Sequence, residues 1–264
     1  MADRPDSQLG ERAQRRHVTL ADAAYHDLAR KGPLQSRMKD LSEAAIVVAH
    51  PDDEVLWFSS LIRKVGKIVI CYGADPDVFV AERAQQRREV VRRLPLDNVL
   101  HLDVSGPSWD GRRLGPVENE QQRSANEDPA LRLALEVPLR GALAGVSTVF
   151  VHNPWGEYGH DDHRRVNSVV NSLRTELNFD VFVSSYVERR ALHLMQATLE
   201  RGVAEMISYP VSRDVIDPIV EVYKAGSCWT WYDDWTWPKE EAFLRLGRAK
   251  SQLPFPAPVQ FFSK

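Results

Sequence analysis

Short apolar runs alternate with amphipathic stretches through the middle of the chain. Strands are read at 44–50, Lys67–Tyr72 (closed by Gly73), Asn98–Val104, Ser147–His152 and Val181–Ser185. Helices are read at Val55–Val65, Ala81–Leu94, Pro129–Leu143 and Arg164–Leu177. Apolar runs rich in β-branched residues and bounded by Pro or Gly are the mark of strands buried on both faces of a parallel sheet. Strand, helix, strand at this spacing makes right-handed βαβ units. The pattern predicts an α/β fold, a Rossmann-like three-layer α/β/α sandwich with a mostly parallel sheet.

Either side of this region the pattern is weaker. Residues 1–43 read as an N-terminal extension packing on the core, with a helix at Ala21–Arg30; Leu20, Ala24 and Leu28 fall at helical spacing. Residues 44–264 read as a single domain, with its core at 44–187 and an aromatic-rich, pocket-forming region at 188–264. Within the latter, Ala191–Leu199 and Asp214–Lys224 look helical. Trp229, Trp231, Trp235 and Trp237, four of the seven tryptophans, alternate as in a strand or hairpin. The stretch 105–128, rich in Gly, Pro, Asn and Glu, reads as a substrate lid, and Pro254–Pro258 as an extended tail.

Composition narrows the function classes. With 43% hydrophobic and 27% charged residues in 264, the chain can bury a substantial core. A net charge of −3 gives no general electrostatic ground for nucleic acid or an anionic membrane as partner. Two cysteines, Cys71 and Cys228, make no disulfide framework and no C-x-x-C pair. No apolar run approaches the roughly 20 residues needed to span a bilayer. A cytoplasmic location and a small-molecule partner are the expectation, with self-association left open.

The chemistry gathers at two strand ends. Ala49-His50-Pro51-Asp52-Asp53-Glu54 follows the first strand, and Asn153-Pro154-Trp155-Gly156-Glu157-Tyr158-Gly159-His160-Asp161-Asp162-His163 follows the fourth. Chemistry in open α/β sheets sits beyond the carboxyl ends of strands. The His and Asp residues there read as metal ligands, acid/base groups or both, and the bland alternative is a turn in which Asp52 or Asp53 caps a helix. Hydrolytic zinc takes three His, Asp or Glu ligands and keeps a position for water. His50, Asp53 and His163 suit that triad, and Asp52 suits the base that takes the proton of the water. The same ligands would accept Fe2+ or Co2+.

Ala49-His50-Pro51-Asp52-Asp53-Glu54 together with Gly159-His160-Asp161-Asp162-His163 resembles the PIG-L/LmbE family of zinc-dependent N-deacetylases, over roughly residues 44–187. The resemblance implies a hydrolase acting on N-acylated amino sugars or glycoconjugates, with one Zn2+ at His50, Asp53 and His163 and Asp52 as general base. It also implies that His160 stabilises the oxyanion and that Asp162 orients and charges His160. An Arg on the helix after the second strand, here Arg83 in competition with Arg87 and Arg88, would contact substrate. Two departures stand out: Val55-Leu56-Trp57-Phe58 replaces a glycine-containing segment, and Asp161 replaces a frequent proline. Trp155 and Tyr158 read as core packing or as an aromatic wall against a sugar or acyl group. The competing functions are a deacylase of non-sugar N-acyl amines, a nucleotide-binding transferase, which lacks any G-x-G-x-x-G or P-loop here, and a metal-free binding protein on the same fold.

Overall fold

Five parallel strands form where the apolar runs predict them: β1 (Ala44–Val48), β2 (Lys67–Ala74), β3 (Val99–Ser105), β4 (Thr148–Val151) and β5 (Asp180–Ser184). The structure, a computed structural model, describes residues 40–74, 81–106, 129–199, 202–246 and 259–262, all within one compact unit, Met38–Lys264. The expected helix at Ala21–Arg30, the tail at 254–258 and all of the lid read at 105–128 except its first two residues lie outside the described residues.

Four further strands are β6 (Tyr186–Glu188), β7 (Val203–Pro210), β8 (Glu240–Leu246) and β9 (Gln260–Phe262). Seven strands make one sheet in the order β3-β2-β1-β4-β5-β8-β7. β8 runs antiparallel to both neighbours, β5 and β7, while β6 and β9 form a separate parallel pair. Among the described residues the helices of five residues or more are α1 (Asp53–Trp57), α2 (Ala81–Arg92), α3 (Pro129–Ala142), α4 (Asp161–Leu177), α5 (Leu192–Leu199) and α6 (Arg213–Ala225).

Alternate residues of each central strand enter opposite layers, which is why those strands read as unbroken apolar runs. Ala45, Val47, Val69 and Val149 pack with Leu135 and Leu139 of α3 and Val166 and Val170 of α4. Ile46, Val48, Ile68 and Phe150 pack on the other side with Leu61, Ile62 and, from α6, Ile216 and Ile219. The fold is therefore the three-layer α/β/α sandwich with a mostly parallel sheet.

Two local expectations are corrected. The helix read at Val55–Val65 stops at Trp57, because its backbone groups are claimed from outside. The Val55 carbonyl accepts from Trp237 Nε1 at 2.7 Å, and the Ser59 and Ser60 amides donate to Glu241 at 3.2 and 2.8 Å. The tryptophan-rich stretch at 228–239 forms turns and irregular chain rather than a hairpin.

Glu241 on β8 is fully buried. It also accepts from Ser59 Oγ at 2.7 Å and from the Tyr186 hydroxyl at 3.0 Å. Glu241→Ala orphans two buried amides, each costing about 1–3 kcal/mol. A loss of roughly 3 kcal/mol is expected, read as a fall in Tm of about 6–12 °C by calorimetry. An unchanged Tm would show that water replaces the carboxylate.

Candidate functional site

β1 has β2 on one side and β4 on the other, so the chain reverses its direction of winding there and leaves a crevice at the strands' carboxyl ends. The register Val47↔Val151, carried one step on, sets Val48 beside His152 and brings the two polar motifs face to face.

The first motif is a tight turn. Asp52 adopts φ 92° and makes no side-chain cap to α1; its Oδ2 instead accepts from Thr230 Oγ1 at 2.7 Å and Thr230 N at 3.0 Å. Glu54 steadies that backbone, accepting from Asp52 N at 3.1 Å and from the Tyr223 hydroxyl at 2.7 Å. Asp53 accepts from His50 N at 2.8 Å and Trp57 Nε1 at 3.0 Å. The simple capping alternative therefore fails for both carboxylates.

The second motif supplies His160 and His163, which stack with His152 from the strand end just before it. His163 lies between His152, at a centroid distance of 3.8 Å, and His160, at 4.5 Å, both nearly parallel to it. Asp53 bridges the motifs, with Oδ1 3.3 Å from His163 Nε2 and Oδ2 3.4 Å from His50 Nδ1. His163 Nε2 is buried and has no hydrogen-bond partner among the described residues. Two overlapping groups have ligand atoms close enough to share an ion: His50, His160 and His163, and Asp53, His152 and His163.

Hydrogen bonds assign some of these ring nitrogens. His152 Nε2 accepts the Ala49 amide at 3.0 Å, so its proton sits on Nδ1, which faces Glu157 Oε2 at 3.1 Å. His160 Nδ1 caps α4 by accepting the Asp162 amide at 3.1 Å, which places its proton on Nε2. Burial, followed by the charges of His163 and His50, holds His160 well below the ordinary imidazole range. His160 is thus a neutral Nε2–H donor rather than the doubly protonated ring the resemblance implies. Asp162 likewise departs from the expectation. Its carboxylate meets His50 Nε2 at 3.2 Å and Arg165 at 2.6 Å, and only its backbone amide reaches His160.

The carboxyls are driven apart. Burial and then the charge of Asp53 push Asp52 up to about 7, against the Thr230 hydrogen bonds. Asp53 is pushed up by burial too, but the imidazoles of His163 and His152 beside it outweigh this and hold it well below the usual carboxylate range.

Of the expected substrate contacts, Tyr158 lies beside the cluster, 5.5 Å from both the His160 and His163 rings. Trp155 does not: it is fully buried and donates Nε1–H to the Tyr186 carbonyl at 2.7 Å, so it is core. Arg83 is exposed on α2; with Arg87 it draws down the Cys228 thiol, which burial raises most strongly and Asp52 also raises. Sequence reasoning did not single out Glu157, Thr230 or Tyr223. Gly156 was a usable signal for the first. At φ +68°, with an added Cβ 2.9 Å from Arg164 Cγ, it marks a sharp turn that inverts the next side chain inward.

No protein-family model and no curated protein matches the chain. Solved structures do. One is a deacetylase of the teicoplanin biosynthesis pathway in complex with teicoplanin (TM-score 0.51, 14% identity, 78% of this chain and 98% of that chain). A triple mutant of a deacetylase in the teicoplanin biosynthetic pathway gives TM-score 0.51 and 13% identity over 78% of this chain and 98% of that chain. The likeness is one of fold.

Proposed function

We propose that this protein is a metal-dependent hydrolase that removes an N-acyl group, most simply N-acetyl, from an amino sugar or glycoconjugate. The observation that carries the reading is His163 Nε2, a buried nitrogen without a hydrogen-bond partner among the described residues, 3.3 Å from Asp53 Oδ1. A buried polar atom left this way calls for an explanation, and a cation supplies one. His152 and His160 have their Nε2 and Nδ1 lone pairs, respectively, committed elsewhere. His50, Asp53 and His163 remain as the residues that would hold the ion, and two imidazoles and a carboxylate suit Zn2+. Such an ion supplies Lewis-acid activation of water and of an amide carbonyl.

The chain's own residues supply the rest. Asp52, raised to about 7, is matched to take a proton from water at neutral pH and to return it to the departing amine. Its Oδ2 is held by Thr230, which fixes the carboxylate plane. His160 donates Nε2–H to the oxygen that becomes anionic as the amide carbon turns tetrahedral. The half-buried Tyr158 and Trp231, 5.3 Å apart, offer aromatic faces to a sugar or acyl group. The deacetylases that share the fold, one of them in complex with teicoplanin, support removal of an acetyl group.

Protein purified without chelators is expected to carry about one Zn2+ or Fe2+ per chain by elemental mass spectrometry, and to release acetate from N-acetylated amino sugars in preference to non-sugar N-acyl amines. A metal-free chain that takes up no added Zn2+ would sink the reading.

A further inference from the structure

Glu157 is fully buried and sits at φ 52°, ψ −65°, a conformation that costs a non-glycine residue energy and persists only where its surroundings enforce it. They do so through its amide and both of its carboxylate oxygens. Its amide donates to Asn153 Oδ1 at 2.9 Å. Oε1 accepts from the Asn153 amide at 3.2 Å and from the Ser184 hydroxyl. Oε2 is left for two imidazoles, His163 Nδ1 at 2.7 Å and His152 Nδ1 at 3.1 Å.

We propose that Glu157 is a positioning residue whose single oxygen Oε2 fixes the tautomer and ring plane of His163, so that the His163 Nε2 lone pair is directed at a divalent cation. This rests on the function proposed above. A carboxylate that accepts from Nδ1 forces the proton onto Nδ1 and frees Nε2 as a ligand. His152 is the second guy-line. Anchored through Nε2 to the backbone amide of Ala49, one residue past β1, it ties Glu157 to the strand that delivers His50 and Asp53. The side chain thereby sets the position of one motif's ligand relative to the other motif's.

Glu157→Gln keeps the shape but not the pattern. An amide has one acceptor oxygen, so it can serve the two imidazoles or the Ser184 and Asn153 donors, not both sets. In the full-length protein, competition with a chromophoric chelator is expected to show Zn2+ affinity about 10–100-fold weaker than wild type. Long-range 1H–15N spectra of the histidine rings are expected to lose the pure Nδ1–H tautomer of His163. Ser184→Ala is the control: it breaks the same buried network on the Oε1 side, and should lower Tm while leaving Zn2+ affinity and the His163 tautomer at their wild-type state. Should E157Q not fold, Glu157→Asp, which keeps the charge but withdraws the oxygens, is expected to weaken Zn2+ binding and disturb the same ring signal. Wild-type affinity in the variants, or an equal loss of affinity in S184A, overturns the assignment while leaving the metal site standing. A wild-type chain that takes up no Zn2+ overturns both.

Discussion

Asp52→Asn is expected to lower kcat for N-deacetylation by about 10²- to 10⁴-fold, the range of a lost general base, with metal content unchanged. Asparagine is the informative substitution because it tolerates the positive φ of Asp52, and its carbonyl oxygen can still accept from Thr230. The variant therefore removes basicity and little else. Wild-type activity should rise with pH as the Asp52 carboxylate forms. Burial and Asp53 hold this group at about 7 without a metal; a cation on Asp53 cancels part of the second effect, so the acid limb of the loaded enzyme lies at or below that value. In Asp52→Asn the limb disappears. Full activity in this variant would remove Asp52 from the mechanism.

The second large effect is on the metal. His163→Ala should bring metal content from about one per chain to near zero and activity to background, because in the proposed site His163 is the donor from across the crevice and the remaining set, His50 and Asp53, has only two protein ligands where hydrolytic zinc takes three. The fold should survive: Glu157 Oε2 retains His152, and the cost is a cavity and one lost charge-assisted hydrogen bond, on the order of 3 kcal/mol. Elemental analysis alongside circular dichroism separates the two effects. A folded, metal-replete His163→Ala protein would take this residue out of the ligand set.

The half of the sheet that carries the site was legible because its signals are local. β1 and β4 are buried on both faces, and their apolar runs end where the polar motifs begin. β7 and β8 escaped notice because acidic residues interrupt them: Glu205 is buried against Arg245 at 2.5 Å, and Glu241 is buried against four donors. Long-range partners were equally invisible. Nothing near Asp162 in sequence indicates that its carboxylate belongs to His50, 112 residues away. Trp155 could as well have faced a ligand until the Tyr186 carbonyl claimed its indole.

The tie between Asp52 and Thr230 spans 178 residues and has a temporal side. Domains begin to organise from the N-terminus while the chain is still being made, and both ligand-bearing motifs precede Thr230 by many residues. A nascent chain can therefore assemble the imidazole stack around Asp53 while the Asp52 carboxylate still lacks the two donors that hold it. The proposed base would thus be fixed only after the imidazole stack has formed.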